Sequence, residues 1–338
     1  MTIKLAFAGT GFNKIHAAAA QRAGAELVAV VNHRPESMAQ FAKEYHIPRQ
    51  YLQLSDLLQD GGVDALIVST PNYLHAEQTI AGLEAGLHVL VEKPMAANAA
   101  EARSMLDTAQ KTGRLLMVGH CFRFDPETVW LREQLSGGKI GTILRTRGTS
   151  IHVNWGPGGW FTQKKYAVIG AMGDMGIHGL DTSRFLLGDP LPVSVYAKIS
   201  TEYGNYDVDD TGMLMVNWDN GASSIIEFGW WQPHANQANA GTQLYGKKGF
   251  ASLFPTLLET PVTGPDGIST HTDHGGFSEE RGEQASLQKY DAQINYFINC
   301  IEQNQTPSPG GLEGWINMQI VDAAYESSRT GKIVKIGR

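Results

Sequence analysis

The sequence predicts an α/β protein of two domains, a doubly wound parallel sheet followed by an α+β domain with a large, open, mostly antiparallel sheet. Residues 3–122 alternate apolar strand-like runs with helical segments, the pattern of parallel βαβ units. Residues 142–255 are mostly strand-like, with hairpin signals such as Asp219-Asn220-Gly221. A chain of 338 residues is also longer than a single hydrophobic core usually supports, which favours two domains. The predicted domains are residues 1–122 and 123–338.

The composition argues against several classes of function. The chain carries 34 acidic and 27 basic residues, a net charge of −7, and no basic run, which argues against a nucleic-acid surface. No apolar run approaches the roughly 20 residues that a membrane span needs. Two cysteines give no disulfide framework, and the first residues lack the pattern of a signal peptide. We therefore expect a cytoplasmic protein with no membrane or nucleic-acid partner.

The first domain is predicted to alternate strands and helices in a regular way. Strands are expected at residues 3–8, 27–31, 65–69, 89–91 and 115–119, and helices up to residue 23 and at 36–45, 55–59, 75–87 and 98–112. In an open parallel sheet of this kind, ligands bind outside the carboxyl ends of the strands. The loops that follow the strands are therefore where functional residues are sought.

The loop from Gly9 to Lys14 follows the first strand and opens the first helix, which is the context of a dinucleotide fingerprint. Gly9 allows a tight turn, Gly11 allows the backbone to approach a pyrophosphate, and the helix N-terminus attracts the anion. Lys14 stands where the fingerprint has its third glycine, which serves helix–strand packing. The pattern predicts a Rossmann-type nucleotide site.

The second strand ends in Asn32-His33-Arg34, where an enzyme that uses NAD carries an acidic residue. Without a carboxylate to repel a 2′-phosphate, and with a guanidinium able to pair with one, the sequence favours NADP over NAD. The alternative is that Arg34 only precedes the next helix and faces water.

Lys93 is the strongest catalytic candidate of the first domain. The run Val89-Leu90-Val91 has the character of a buried strand and ends in Glu92-Lys93-Pro94, at the sheet edge that carries the glycine loop and the Thr70-Pro71-Asn72 turn. A lysine at this edge of the sheet is expected to point toward the bound ligand. The alternative is a solvated Glu-Lys pair in a surface turn.

Asp174 and His178 are the candidates of the second domain. They lie four residues apart in a predicted helix over 174–187, so that one turn of helix would bring a carboxylate and an imidazole onto one face. Capping of the helix by Asp174 and burial of His178 are the alternatives, and Asp181 is interpreted as structural. Further elements of this domain are helices at 126–135, 285–303 and 312–330 and strands at 142–153, 193–199, 212–218, 223–229 and 242–245.

Several weaker candidates are present in the second domain. The segment His271-Thr272-Asp273-His274 has metal-capable side chains but lies in a predicted polar loop, so no metal is expected. Lys164 and Lys165 either border the site or are solvated. Aromatic side chains that would stack on sugars, or equally form the core, are Trp155, Trp160, Phe161, Trp230 and Trp231.

Assembled in order, these motifs resemble the glucose–fructose oxidoreductase / inositol dehydrogenase (Gfo/Idh/MocA) family over nearly the whole chain. The resemblance rests on Gly9-x-Gly11, Thr70-Pro71-Asn72 with His75, Glu92-Lys93-Pro94, Arg123-Phe124-Asp125-Pro126 and Asp174-x-Gly176-x-His178. It implies hydride transfer between NAD(P) and a sugar or polyol carbon, and a homodimer or homotetramer formed through the C-terminal sheet. Lys14 and Asn32-His33-Arg34 depart from the family pattern.

The resemblance also implies roles for individual residues. Lys93, Asp174 and His178 would be catalytic, and these three with Arg123 would contact substrate. The chemistry of the side chains then favours His178 for proton transfer, because the ordinary pKa of histidine lies near working pH, and Lys93 as hydrogen-bond donor to the reacting oxygen. These two assignments could also be exchanged. Residues expected at the cofactor are Gly9, Gly11, Phe12, Asn13, Asn32, His33, Arg34, Thr70, Pro71, Asn72, His75, Glu92 and Lys93.

Three other functions are compatible with parts of this pattern. A glycosidase that oxidises a sugar transiently with bound NAD would share every motif. A non-enzymatic sensor of sugar or cofactor would have no need of Lys93 and His178. An amino-acid or dihydropicolinate-type reductase would share the N-terminal layout but not the Lys-Pro and Asp…His pairing.

Overall fold

The computed structural model describes residues 2–152, 156–232, 240–264, 267–278 and 283–337. The chain forms two compact units. Unit 1 comprises Met1–Cys121 and Leu287–Met318, and unit 2 comprises Phe122–Ser286 and Gln319–Arg338. The prediction assigned every residue from 123 onward to the second domain, whereas residues 287–318 belong to unit 1. The pattern of a helix shows that one face is buried, but it does not show which unit buries it.

Unit 1 contains a parallel sheet of six strands in the order β3-β2-β1-β4-β5-β6. This is the doubly wound order, and its direction reverses between β1 and β4, where such folds bind their ligands. The interior strands are apolar and almost completely buried, as both faces of a parallel sheet require. The strands are β1 Lys4–Ala8, β2 Glu26–Val31, β3 Arg49–Tyr51, β4 Ala65–Val68, β5 His88–Val91 and β6 Leu116–Val118.

Five helices connect these strands: α1 Asn13–Arg22, α2 Pro35–Tyr45, α3 Leu54–Asp60, α4 His75–Glu84 and α5 Ala99–Thr112. Their starts follow local signals in the sequence. Pro35 stands at the first helical position of α2, and the Asn98 side chain accepts a hydrogen bond from the N–H of Glu101 at the start of α5. A short 3₁₀ turn, Asn72–Leu74, precedes α4.

Unit 2 is built on a sheet of nine strands in the order β14-β13-β12-β11-β7-β10-β9-β8-β15. Only β7 and β10 pair in parallel, so the mostly antiparallel sheet of the prediction is confirmed. The predicted hairpin at Asp219-Asn220-Gly221 joins β9 to β10. The strands are β7 Ile143–Ile151, β8 Pro192–Ser200, β9 Thr211–Trp218, β10 Ser223–Gly229, β11 Gly241–Gly246, β12 Gly249–Leu253, β13 Leu257–Gly264, β14 Gly267–Asp273 and β15 Val334–Lys335.

The remaining helices are α6 Pro126–Ser136, α7 Lys164–Ala167, α8 Ile177–Leu186, α9 Glu283–Gln303 and α10 Gly311–Thr330, with 3₁₀ turns at Cys121–Phe124 and Gly159–Thr162. The predicted helix over 174–187 is only partly correct. Met172–Gly176 forms a turn of π-helix, and the α-helical part begins at Ile177. Strands β3, β12, β13, β14 and β15 were not individually predicted, because they are short or carry polar residues on both faces.

Candidate active site

The glycine loop of unit 1 is fixed by contacts with both neighbouring strands. Gly9 has φ +90°, and a Cβ there would lie 2.8 Å from the carbonyl oxygen of Ser69, so only glycine fits. The Gly9 N–H donates to the carbonyl of Val31 at 2.9 Å. The side-chain amide of Asn13 donates to the carbonyls of Ala8 and Gly9, both at 2.9 Å. The turn is therefore held rigidly at the point where the strand order reverses.

This loop has the properties that a dinucleotide phosphate requires. The N-terminus of α1 has no side-chain cap, although the N–H groups of Lys14 and Ile15 already donate to the carbonyls of Gly11 and Phe12. The positive end of the helix dipole therefore still favours an anion at the loop. A Cβ on Gly11 would meet no atom within 4 Å, which leaves space for close approach by a ligand. Asn13 is fully buried, and its Oδ1 has no hydrogen-bond partner among the described residues. These features fit the pyrophosphate of a nicotinamide dinucleotide.

The missing third glycine does not disturb the loop. Lys14 is exposed, and its ammonium lies 3.5 Å from a carboxylate oxygen of Glu44 on α2. At the end of β2, the Asn32 amide donates to Oγ1 of Thr10 at 2.5 Å, and the Asn32 Oδ1 accepts from the backbone N–H of Arg34 at 3.1 Å. The side chains of His33 and Arg34 are exposed.

His75 connects the loop after β4 to the loop after β5. Its Nε2 lies 2.8 Å from the carbonyl oxygen of Thr70, and its Nδ1 lies 2.8 Å from the carbonyl oxygen of Pro94. Complete burial lowers the pKa of His75, although both hydrogen bonds act in the opposite direction. Asn72 is buried in the same turn, and Thr70 donates through Oγ1 to Gln78. His75 therefore fixes loop geometry.

Glu92 and Lys93 follow directly after β5. Glu92 is buried, with its Oε1 2.8 Å from Nε2 of His16, and its Oε2 accepts the backbone N–H of Lys93 at 3.0 Å. Burial by itself raises the pKa of Glu92. The hydrogen bond and attraction from His16, together with the charge and N–H of Lys93, outweigh burial and lower the pKa below its usual range. The Lys93 side chain is half-buried.

The sequence reasoning missed four further residues near Glu92, which are His16, Cys121, Lys289 and Tyr290. Phe12 and Tyr290 pack edge-on against the His16 ring at centroid distances of 5.4 Å and 6.3 Å. Cys121 and the buried Lys289 also lie in this neighbourhood, and burial raises the pKa of Cys121 to about 11. His16 stands out in sequence as a histidine within an alanine-rich helix, but Tyr290 and Lys289 carry no comparable signal.

In unit 2, Asp174 lies within the π-helical turn. Its Oδ2 accepts a hydrogen bond from the indole N–H of Trp230 at 3.0 Å and lies 3.8 Å from Nε2 of His152. Capping is not its role, because the residue is inside the turn and no side-chain cap is formed there. The His178 ring packs edge-on against Phe122 at a centroid distance of 5.0 Å. A carboxylate with two nearby donors and a half-buried imidazole are groups suited to proton transfer.

The π-helical turn is anchored from outside by Asp209. Its Oδ1 accepts the N–H of Gly170 at 2.9 Å, and its Oδ2 accepts the N–H of Met172 at 2.8 Å. The Tyr325 hydroxyl also donates to this carboxylate. Burial raises the pKa of Asp209, while these hydrogen bonds act to lower it. The anchor fixes the backbone immediately before Asp174.

Arg123 is held in a buried ion pair. Its Nε and Nη2 each donate to the carboxylate of Asp181 at 2.8 Å, and Nη2 also lies 2.8 Å from Asp189. The structural interpretation of Asp181 is thus confirmed. With two nitrogens used in this way, Arg123 shapes unit 2 from inside, and a direct contact of Arg123 with substrate stays a prediction.

The weaker candidates have different outcomes. Trp230 is completely buried and therefore belongs to the core, Trp231 is 40% exposed, and Trp160 stacks on Phe161 at 3.9 Å. Trp155 lies outside the described residues. Lys164 and Lys165 are the first two residues of α7, and both are exposed.

The segment from His271 to Asp273 is part of β14, so the predicted loop there is wrong. Among the residues that the structure describes, no three His, Cys, Asp or Glu side chains converge in a way that would hold a metal ion. No helix in the same parts of the chain combines the length and apolar content needed to cross a membrane.

Comparison with known proteins agrees with this architecture. The model of an oxidoreductase family with an NAD-binding Rossmann fold matches residues 3–120, and the model of the GFO/IDH/MocA C-terminal domain matches residues 128–252. D-glucoside 3-dehydrogenase of Escherichia coli is 30% identical, over 99% of this chain and 97% of its own length. The 1,5-anhydro-D-fructose reductase of Ensifer adhaerens is 29% identical, over 93% of this chain and 92% of its own.

A solved structure shows the same fold. Levoglucosan dehydrogenase in complex with NADH and levoglucosan superimposes with a TM-score of 0.88 over the full length of both chains, at 24% identity.

Proposed function

The chain belongs to the Gfo/Idh/MocA family of NAD-binding oxidoreductases, and from that premise we propose that it transfers a hydride between a nicotinamide cofactor and a carbon of a sugar or polyol. The observation that carries the proposal is the position of Lys93, directly after β5 at the carboxyl edge of the parallel sheet. Support for a carbohydrate substrate comes from relatives named as dehydrogenases of D-glucosides, levoglucosan and scyllo-inositol.

The proposed chemistry divides between cofactor and protein. When bound, the nicotinamide supplies the hydride acceptor or donor. Lys93, as an ammonium group, donates a hydrogen bond to the reacting oxygen and stabilises the negative charge that develops there. His178 takes the hydroxyl proton in oxidation and returns it in reduction, since the ordinary pKa of histidine lies near neutral pH. Asp174 orients His178 or holds a second hydroxyl of the substrate.

The pH dependence of kcat tests which of the two residues, Lys93 or His178, transfers the proton. In His178→Asn, loss of the pH dependence near neutrality assigns the proton transfer to His178. A variant that retains activity with an unchanged profile assigns it to Lys93.

We propose NADP as the preferred cofactor. His33 and Arg34 are exposed at the end of β2, and no acidic side chain stands among Asn32, His33 and Arg34 to repel a 2′-phosphate. In this proposal the pyrophosphate lies at Gly9, Gly11, Phe12 and Asn13, and the loops after β4 and β5 border the nicotinamide half through Thr70, Pro71, Asn72, His75 and Glu92.

We also propose that the protein assembles as a homodimer or homotetramer through the sheet of unit 2 and that it works in the cytoplasm. Tyr196, Met213 and Ile225 are 43%, 46% and 37% exposed on adjacent strands β8, β9 and β10, which leaves an apolar surface for a second copy. Both cysteines are free and buried, as suits a reducing compartment. Sedimentation of Ile225→Glu tests the assembly, and a monomeric wild type would refute it.

The test of the function is a screen at 340 nm of aldoses, polyols, glucosides and anhydro-sugars with NAD⁺ and NADP⁺, and of the corresponding ketones with the reduced cofactors. Net change in absorbance with one of these substrates is the expected result. A glycosidase that uses transient oxidation would release a free sugar without net reduction of cofactor. A non-enzymatic sensor would bind a sugar or the cofactor, as calorimetry measures, and convert neither.

A further inference from the structure

His16 is a completely buried histidine that the proposed reaction does not use. It lies on α1, one turn after the glycine loop, and its Nε2 is 2.8 Å from Oε1 of Glu92. The lowered pKa of Glu92 makes this group a carboxylate, which only accepts hydrogen bonds. The hydrogen between the two residues is therefore on Nε2 of His16. The other ring nitrogen, Nδ1, has no hydrogen-bond partner among the described residues.

The same carboxylate of Glu92 also contacts the backbone of Lys93. Its second oxygen, Oε2, accepts the N–H of Lys93 at 3.0 Å. The carboxylate occupies the space beside Gly119, where a Cβ would come within 2.8 Å of Oε1. One oxygen thus faces the helix that follows the glycine loop, and the other faces the residue proposed to contact the reacting oxygen.

Two aromatic side chains also restrict the orientation of the His16 ring. Phe12 and Tyr290 contact it edge-on, with interplanar angles of 69° and 80°. These two rings also pack on one another at a centroid distance of 5.7 Å. A completely buried ring packed in this way has little room to rotate, which favours the orientation that places Nε2 against Glu92.

We infer that His16 is a positioning residue for Lys93, acting through the carboxylate of Glu92. This inference deepens the proposed function and rests on it, since it assumes that Lys93 contacts the reacting oxygen. A charged donor is catalytically useful only where it is held in the productive geometry by neighbouring hydrogen bonds. The His16–Glu92 pair supplies that constraint on the Lys93 backbone. It thereby joins α1, which follows the glycine loop, to Lys93 through two hydrogen bonds.

Two substitutions at position 16 separate positioning from general stability. In His16→Gln the amide nitrogen reaches the place of Nε2 and keeps a donor to Glu92. In His16→Asn the shorter amide corresponds to Nδ1 and loses that donor. We expect kcat to fall about 10- to 100-fold in His16→Asn, the order of loss that a small misplacement of a reacting group causes. His16→Gln restores kcat to within about threefold of wild type, and KM changes little in both.

His88→Gln is the matched control. His88 is a half-buried histidine at the opposite end of β5, where its Nδ1 accepts the N–H of Leu115 at 3.1 Å. It has no part in the contact with Lys93, so its variant reports what loss of a partly buried histidine costs unit 1. Equal loss of kcat in His88→Gln and His16→Asn, or in His16→Gln and His16→Asn, contradicts the inference.

A measurement that needs no substrate distinguishes failure of this inference from failure of the proposed function. Lysines are ¹³C-methylated, and the resonance of Lys93 is assigned by its absence in Lys93→Met. We expect this resonance to shift in His16→Asn and to stay near the wild-type position in His16→Gln and His88→Gln. An unshifted resonance in His16→Asn overturns the positioning role, whatever the enzyme assays give. A shifted resonance in a protein that oxidises no carbohydrate overturns the proposed function and leaves the positioning contact established.

Discussion

The indole N–H of Trp230 donates a hydrogen bond to Oδ2 of Asp174 across 3.0 Å. Trp230 is completely buried, so this donor is fixed in place by the core of unit 2. The Tyr206 ring packs edge-on against it at 6.1 Å, and the Tyr206 hydroxyl donates to the buried Asp210. The orientation of a candidate catalytic carboxylate is thus set from within the unit.

Replacement of Trp230 by Phe is expected to reduce kcat about tenfold, because Asp174 loses the hydrogen-bond donor that orients it. Trp218→Phe is the matched control, since Trp218 is also buried and its indole N–H donates to Ser224 instead. Both variants lose packing and are expected to unfold at a lower temperature. Equal kcat values in the two variants would show that the Trp230 contact has no catalytic consequence.

Arg34→Ala is expected to raise the Kd for NADPH by about 10- to 100-fold and to leave the Kd for NADH nearly unchanged, because a guanidinium pairs with a 2′-phosphate that only NADPH carries. Quenching of intrinsic fluorescence measures both constants. Lys43→Ala removes an exposed positive charge from α2, the helix that Arg34 immediately precedes, and serves as the control. If Arg34→Ala weakens both cofactors equally, the phosphate-pairing hypothesis is wrong.

Glu92→Gln is expected to lower the free energy of unfolding at pH 7, and the difference from wild type is expected to shrink in acid. The pKa of Glu92 is lowered by folding, so the carboxylate adds stability above its unfolded value of 4.5 and loses it as the pH falls through the folded value. Urea unfolding between pH 3.5 and 7 measures the trend. Glu44→Gln, at an exposed ion pair, is the control, and a difference that stays constant with pH contradicts the prediction.

Asp181→Asn is expected to lower the free energy of unfolding by about 3–5 kcal/mol, because it leaves a buried guanidinium without its main partner. The double variant Arg123→Met with Asp181→Leu removes both charges and is expected to recover most of that loss. Chemical denaturation measures all three values. Asp181→Asn with wild-type stability would mean that the Arg123–Asp181 pair contributes nothing to folding.

The sequence predicts the architecture well wherever local pattern and function coincide. Glycine loop, strand ends and βα alternation are local, and Gly9, Glu92 and Lys93 all lie at the expected sheet edge. The two-domain α/β fold follows from the same periodicities. Strand β14 escapes prediction, since an exposed polar strand shows no apolar alternation.

The sequence does not predict contacts between segments that are far apart along the chain. The pairing of His16 with Glu92 joins residues 76 apart, and that of Trp230 with Asp174 joins residues 56 apart. The spacing of Asp174 and His178 suggested an ordinary helical turn, whereas the chain forms a π-helical turn there, anchored by Asp209. The sequence also does not show that residues 287–318 belong to unit 1, because the apolar pattern of a helix does not indicate which part of the chain it packs against.

The most direct test of the proposed hydride transfer uses a substrate sugar found in the 340 nm screen. The sugar is deuterated on its ring, and transfer of deuterium to the oxidised cofactor is measured. The reduced cofactor is analysed by mass spectrometry. Direct hydride transfer from the sugar to the nicotinamide predicts a mass increase of one unit with the wild type. Lys93→Met is predicted to bind the cofactor normally and to turn over slower by two to three orders of magnitude, about the effect of removing a preorganised donor. Reduced cofactor without deuterium, or near-normal turnover of Lys93→Met, would contradict it.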